Sequence, residues 1–467
     1  MSSEDGFLGL TAGSLPARPP VFVDPQASVV QAARAMRAAQ ATACLVGTPE
    51  AVQGILTERD VVRAVAEDAA PDAPARDFMS REVVTISGRE LVSEAFLAML
   101  RHKIRRLGLT GPDGRITGIL EERDLLAARF ESPVALAADI ARAADAWDLA
   151  RAHATLTRMT PRWLGQGAGV DRVGAMAAAV RDQLFARAAV LALETADPGP
   201  MALLALGSEG RREQFLATDQ DNALVLGDGA DLSKAHDYAL RLMELLDQAG
   251  LPPCPHGVTA DRDDWRMTLP HWETRLEELA RNPGPEAVLA LSMLADARQV
   301  HGSRELAAGL SRALAQAVSG HPIALRAMAR EAVRFTPPLT IFGSLSVQDG
   351  ALDIKRGGIF PLTQGARVLG LECGARVTGT AGRLEAAVRA GFLAEGTATN
   401  LSQALDFMQE LRLRFQARDL DRGREPGNRV LPGELTPLER SRLQECFKAV
   451  ASFQEMLENR YKLKLFT

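Results

Sequence analysis

The nine residues Gly54-Ile55-Leu56-Thr57-Glu58-Arg59-Asp60-Val61-Val62 recur as Gly118-Ile119-Leu120-Glu121-Glu122-Arg123-Asp124-Leu125-Leu126, and this internal repeat constrains the fold more than any other feature. Upstream, Val21-Phe22-Val23 before Ser28-Val29-Val30-Gln31-Ala32-Ala33 parallels Val83-Val84-Thr85-Ile86 before Leu91-Val92-Ser93-Glu94-Ala95-Phe96. Each unit reads as strand, helix, strand, strand, helix. Alone, such a unit is too short to bury a core, so the two must pack face to face.

A second signal lies mid-chain. Met201-Ala202-Leu203-Leu204-Ala205-Leu206 is an apolar run ended by Gly207, and Asn222-Ala223-Leu224-Val225-Leu226 is another ended by Gly227. Both read as buried strands. Between them stand Gly207-Ser208-Glu209-Gly210-Arg211-Arg212 and then Thr218-Asp219-Gln220-Asp221. Residues 209–216 are expected as a short helix with Ser208 as its N-cap. Strand alternation points Asp219 and Asp221 the same way. Two carboxylates beside a turn whose glycine admits phosphate oxygens make a site for a divalent cation and a triphosphate. Arg211 and Arg212 are candidate phosphate partners.

Gly207-Ser208 followed by Asp219-x-Asp221 resembles the signature of the nucleotidyltransferase superfamily that includes polymerase β. The longer string from Leu206 to Leu224 resembles the nucleotidyltransferase-like domains of unknown function that bacteria place behind paired CBS domains. These in turn resemble PII uridylyltransferase and glutamine-synthetase adenylyltransferase. Leu352-Asp353-Ile354-Lys355-Arg356-Gly357-Gly358-Ile359 is similar to the Lys-rich, double-Gly segment that follows the catalytic domain in those enzymes, which makes Lys355 a further phosphate candidate. The resemblance implies catalytic Asp219, Asp221 and a third carboxylate, for which Asp261 is the candidate, with Asp219 and Asp221 as metal ligands. Asp296, in Leu294-Ala295-Asp296-Ala297-Arg298, resembles the Asp/Glu-Ala-Arg segment of the uridylyltransferases, but a helical salt bridge near Arg298 is the expectation.

The N-terminal repeat resembles a CBS pair, a module that commonly binds adenosine nucleotides between its repeats. That resemblance assigns Thr57, Asp60 and Asp124 to nucleotide binding. Glu121 stands where the second repeat would need Thr, so one competent site is expected, using Thr57 and Asp60. An equal alternative is that the pair only holds a dimer together.

Length and composition agree with several domains: the chain has 467 residues, 46% of them hydrophobic. The expected divisions are a flexible lead-in at 1–17, the CBS pair at 18–131 and a helical connector at 132–196. A polymerase-β-like α/β domain at 197–319 and a C-terminal helical bundle at 320–467 would follow. The fold class is thus α/β and α. A formal net charge of −5 with interspersed signs excludes a broad nucleic-acid footprint. The Arg-rich stretch Arg412, Arg414, Arg418, Arg422, Arg424, Arg429 reads as a solvated helix face running into a loop, with phosphate or partner binding the lesser alternative. The four cysteines, at 44, 254, 373 and 446, lack the paired spacing of a zinc site or a disulfide framework. No apolar run is long enough to cross a bilayer. The N-terminus carries Glu4 and Asp5 where a signal peptide needs base, so the cytoplasm is expected.

The expectation is a CBS-regulated enzyme in bacterial signal transduction. It would transfer an NMP from an NTP to an acceptor, a protein being the candidate, with Mg2+ or Mn2+ at the transferase site. An adenosine nucleotide would sit at the CBS pair, which would also join a homodimer. The alternative is a non-catalytic nucleotide-sensing interaction protein with an inactive transferase fold.

Overall fold

The computed structural model describes residues 11–15, 17–102, 104–124, 133–165, 167–216, 219–340, 342–347 and 349–466, in two compact units, Met1–Ala135 and Leu136–Thr467. Residues 1–10 of the expected lead-in, Leu125-Leu126 of the second repeat and Thr218 of the central motif lie outside the described residues.

In the first unit the repeats form two three-stranded sheets of the same order. β1 (Phe22–Val23) runs parallel to β2 (Ala43–Thr48), which pairs antiparallel with β3 (Ala51–Thr57). The parallel pairing needs a crossover, and α1 (Val29–Ala38) supplies it. Ser28 and Gln31 close a capping box at its start. α2 (Glu58–Ala66) follows β3. β4 (Thr85–Ser87), α3 (Val92–His102), β5 (Arg106–Thr110) and β6 (Ile116–Glu121) repeat the pattern.

Residues 11–15, expected in the flexible lead-in, are folded instead. Ala12 and Leu15 are buried with Ile86, Val92 and Leu107, and Ala12 N donates to Glu90 O at 2.7 Å. A three-stranded sheet with one crossover helix buries too little by itself, and this apolar segment completes the core. Ala75 does the same for the first repeat, joining Val23, Ala32 and Met36.

The second unit is built on a four-stranded sheet, in the order β10 (Arg298–Gly302), β7 (Met201–Ala205), β8 (Asn222–Leu226), β9 (Arg266–Thr268). All of β7 and β8 is buried because helices cover both faces. Met201, Leu203, Leu224 and Leu226 share a core with α4 (Pro133–Arg142), α5 (Ala146–Gly165), α6 (Val170–Leu193) and α8 (Leu232–Gln248). Ala202, Leu204, Ala223 and Val225 face α9 (Leu269–Arg281), α10 (Pro285–Ala295) and α11 (Arg304–Gly320). Between β7 and β8 lies α7 (Gly207–Gly210).

The stretch 132–196 is therefore not a connector between domains. From Leu136 onward it belongs to the second unit, and α6 buries Val173, Ala178, Leu184, Phe185 and Ala192, more than one stripe. A connector would keep one face polar. Nor does a break at 319/320 separate two bodies, because Val368 and Leu463 share the core of the sheet's second face. After α12 (Pro322–Ala332), the C-terminal helices are α13 (Phe360–Glu372), α14 (Thr380–Arg389), α15 (Glu395–Asp421) and α16 (Pro437–Arg460). A π-helical turn at Lys355–Ile359 leads into α13.

Candidate functional site

β7 and β8 are antiparallel with Ala205 opposite Asn222, so the residue after one strand meets the residue before the other. Leu206 N donates to Asp221 O at 2.9 Å, adding one rung to the ladder. Gly207 then lies against the Asp221 carboxylate: its φ is +55°, and a Cβ there would stand 2.7 Å from Asp221 Oδ2. Only glycine combines that conformation with that approach.

The helix expected over 209–216 stops at Gly210, and Arg212 turns left-handed with φ of 62°. Leu206, not Ser208, holds the N-cap position, and the Ser208 hydroxyl donates to Gln214 Oε1 at 2.8 Å. Arginines end the helix by taking the carbonyls it would need. Arg298 donates to Glu209 O at 2.9 Å and Gly210 O at 3.2 Å. Buried Arg181 donates to Gln214 O at 2.6 Å and bonds Glu209 Oε2 at 2.6 Å.

Gln220 turns its amide away to Leu251 O at 2.7 Å, so Asp219 and Asp221, on either side of it, face one cluster. Their carboxylate oxygens and the sulfur of Cys254 all lie within 4.8 Å of one another. Cys254 arrives because Pro253 forms a parallel bridge with Gln220 and Asn222 N donates to Val258 O at 3.1 Å. Asp221 is 7% exposed, and its Oδ1 has no hydrogen-bond partner. Burial first, then the Asp219 charge, push its pKa up to about 6 against the Cys254 hydrogen bond and the charges of Lys355 and Arg211. A buried carboxylate oxygen with free lone pairs, next to a second carboxylate, fits a divalent cation.

Cations come from the C-terminal helices. Lys355, at the start of the π-helical turn, is open to solvent but stands in a recess where desolvation, then Arg412, lower its pKa while Asp219 and Asp221 oppose the change. Gly357 and Gly358 let this turn pack tightly: a Cβ on Gly357 would lie 2.6 Å from Pro338 Cδ. Arg412, expected on a solvated face, is only 6% exposed. Its Nε donates to Asn428 Oδ1 at 2.8 Å, and burial lowers its pKa to about 10 against the charges of Asp353 and Asp219. Arg412 is buried because α15 lies among other helices, which its own arginine content does not reveal. Of the two motif arginines, Arg212 is exposed, whereas Arg211 is engaged by Glu213 Oε2 at 2.7 Å and Asp296 Oδ2 at 2.5 Å.

Asp296 does not pair with Arg298, which bonds Asp182 instead. It is fully buried and accepts from Arg367, Arg383 and Arg211, which against its burial hold its carboxyl well below the usual range. Together with Thr378 Oγ1 donating to Gly210 O at 3.0 Å and Thr380 N donating to Glu213 Oε1 at 2.9 Å, this ties the Gly-Ser turn to α13 and α14. Asp261 is not in the cluster with Asp219 and Asp221. It sits on a turn where its carbonyl accepts from Arg266 at 2.8 Å, while Cys254 takes the place beside the Asp-x-Asp segment. The chain pairs with that segment eight residues before Asp261, at Pro253, a register that residue types alone do not announce.

In the first unit, Thr57 Oγ1 and Thr57 N both donate to Asp60 Oδ2, at 2.7 and 2.9 Å, capping α2. The second repeat keeps the backbone half of this arrangement, Glu121 N donating to Asp124 Oδ2 at 2.8 Å. The Glu121 carboxylate is bound by Arg123 at 2.6 Å and accepts the Thr42 hydroxyl.

Family models cover most of the chain: "CBS domain" at residues 12–67 and 75–131, "Putative nucleotidyltransferase DUF294" at 154–286, and "Putative nucleotidyltransferase substrate binding domain" at 322–461. The chain is a CBS-linked member of this family. It is 40% identical over 75 residues to an uncharacterized protein of Methanopyrus kandleri, covering 16% of this chain and 38% of that one. It is 30% identical over 110 residues to an uncharacterized 17.7 kDa protein of Acidianus ambivalens, covering 23% and 66%. The chain thus spans less than two thirds of either relative. Among solved structures, it resembles a CBS domain protein from Pyrobaculum aerophilum complexed with AMP (26% identity, 25% of this chain and 89% of that one, TM-score 0.24). A CBS-domain containing protein from Agrobacterium tumefaciens is similar at 30% identity, 24% and 85% coverage, and a TM-score of 0.23.

Proposed function

We propose that this CBS-linked family member transfers a nucleoside monophosphate from an NTP to an acceptor, under control of an adenosine nucleotide at its CBS pair. One observation carries the reading: Asp219 and Asp221 face a turn stripped of side chain at Gly207, while Lys355 brings positive charge to both carboxylates and Arg412 to Asp219.

Asp219 and Asp221 would hold a divalent cation, which when bound would offset the negative charge that develops on the phosphate oxygens of an in-line displacement. Gly207 and Ser208 admit the phosphate oxygens. Lys355 and Arg412 offset the charge of the pyrophosphate that leaves as the α–β bridging bond breaks. The acceptor oxygen bonds the α-phosphorus and its proton passes to a base. Arg211, held by Asp296 and Glu213, sets the shape of the turn. Thr57 and Asp60, with Asp124 in the second repeat, are the residues proposed for the adenosine nucleotide. A protein acceptor, a uridylyl or adenylyl donor, a homodimer joined through the CBS pair and a place in cytoplasmic signalling extend the reading by family resemblance. No helix among the described residues is long and apolar enough to cross a membrane.

The rival reading is a nucleotide-sensing interaction protein with an inactive transferase fold. The thiol in the cluster favours it, since Cys254 stands where an acceptor-activating carboxylate would be useful. Calorimetric titration of ATP, GTP, CTP and UTP into the full chain, in EDTA and with Mg2+, Mn2+ or Zn2+ in turn, separates the two. Binding that depends on one of these cations and disappears in Asp219→Asn/Asp221→Asn is the expected result. Arg412→Met should then weaken NTP binding by roughly tenfold, the loss of one charge-assisted contact. NTP binding that ignores both cation and the double substitution would leave the interaction reading standing.

A further inference from the structure

We infer that Cys254 is the third protein ligand of the cation held by Asp219 and Asp221, and that its sulfur turns the site toward zinc-class divalent cations and away from Mg2+. The inference rests on the reading above only in placing a cation between the two aspartates.

Three independent features meet here. The donor atoms of Asp219, Asp221 and Cys254 lie within 4.8 Å of one another, and theirs is the sole such group among the described residues. Backbone pairing, not side-chain chance, holds the cysteine in place, through the Gln220–Pro253 bridge and the Asn222–Val258 bond. Asp221 Oδ1 is buried beside it with its lone pairs unmatched, although nearly every buried polar atom in a folded protein is paired. Cys254, itself 6% exposed, directs its thiol to the Asp221 carboxylate.

The donor chemistry then decides the cation. Mg2+ asks for near-octahedral oxygen and dehydrates reluctantly. Zn2+ and Co2+ accept cysteine sulfur together with carboxylate oxygen, with three protein ligands and a fourth position for an outside oxygen. That fourth position is where a phosphate oxygen of the triphosphate would bind. As the sulfur–metal bond forms, the S–H bond breaks and its proton goes to solvent. Two carboxylates and a thiolate outweigh a divalent cation, and Lys355 and Arg412 offset the excess. The three donor atoms lie close enough together to meet at one cation, so one cation per site follows.

The test uses the full chain, stripped with EDTA and titrated with Co2+ in weak buffer. Expected are a sulfur-to-cobalt charge-transfer band saturating at one cobalt per chain, release of a proton, and displacement by Zn2+ but not by excess Mg2+. Cys254→Ser should lose the band and at least the roughly 10–100-fold in Zn2+ affinity that even an indirect partner of a metal site is worth. Cys254→Asp should show no band and prefer Mg2+ or Mn2+. Co2+ bound without a sulfur band, a band that survives Cys254→Ser, or no Co2+ binding would each overturn the inference. Nucleotide transfer is not read, so a failed transferase assay leaves this result intact. Conversely, sulfur-free Co2+ binding that still requires Asp219 and Asp221 would end the inference and leave the transferase reading untouched.

Discussion

Replacing Asp221 by Asn should stabilise the cation-free chain above pH 6 while abolishing its response to added cation. Asp221 is 7% exposed with Oδ1 unpartnered, and its pKa is pushed from 3.8 up to about 6 by burial and then by Asp219. That difference corresponds to about 3 kcal/mol of cost for holding the charged form in the folded protein. Because the folded-state pKa is the higher one, the group's contribution is fully present below the unfolded pKa, near 4, and is lost as pH rises through about 6. Asn is neutral throughout. Its amide nitrogen, however, enters a place that lacks an acceptor, which takes back about 1 kcal/mol. A net gain of about 2 kcal/mol at pH 7.5 remains, worth roughly 3 °C in the unfolding of the second unit, and it should vanish at pH 4. Scanning calorimetry of both proteins in EDTA at pH 4, 5, 6 and 7.5 measures this directly. Added Zn2+ or Mn2+ should raise the midpoint of the wild-type chain and not of Asp221→Asn. A variant less stable than wild type at pH 7.5, or a stability difference that does not change between pH 4 and 6, would refute the reasoning.

Asp296→Ala leaves Arg367 and Arg383 in the core without their shared anion, so the second unit should lose about 3–5 kcal/mol, seen as a lower denaturant midpoint. A loss under 1 kcal/mol would mean that the three arginines find other partners. In the first unit, Asp60→Ala removes the acceptor for Thr57 N and Oγ1 and should cost about 1 kcal/mol as a lost cap. It should also abolish any thermal stabilisation of the full chain by AMP, ADP or ATP in EDTA. A melting shift equal to that of wild type would remove Asp60 from the nucleotide site.

Local signals in this chain are dense. The repeat at Gly54–Val62 and Gly118–Leu126 foretold paired units whose sheets share one order, and the all-buried runs ending at Gly207 and Gly227 became neighbouring strands. The family and the fold class were legible for the same reason: both rest on contiguous residues. Asp219 and Asp221 do share one cluster, although both stand before β8 and not on it, flanking the bridged Gln220.

What stayed hidden depends on which distant segments touch. Asp261 looked like the third carboxylate because it is acidic, yet register is set by hydrogen bonds between main chains, and these put Cys254 beside Asp221. Arg412 looked like one of several surface arginines, and only the packing of α15 buries it where its charge reaches Asp219. Asp296 has a nearby arginine in sequence and bonds three remote ones instead. Residues 11–15 read as a tail and proved to be core, because Ala12 and Leu15 join Val92, Ala95 and Met99 of α3 in covering the sheet residues Ile86, Leu107 and Leu120. By itself the sequence determined the elements and the kind of chemistry, since those follow from backbone periodicity and from the charge and size of neighbouring residues. Tertiary structure alone decided which cations, which third ligand and which buried charge make up the site, because burial and pairing are properties of where the chain returns to itself.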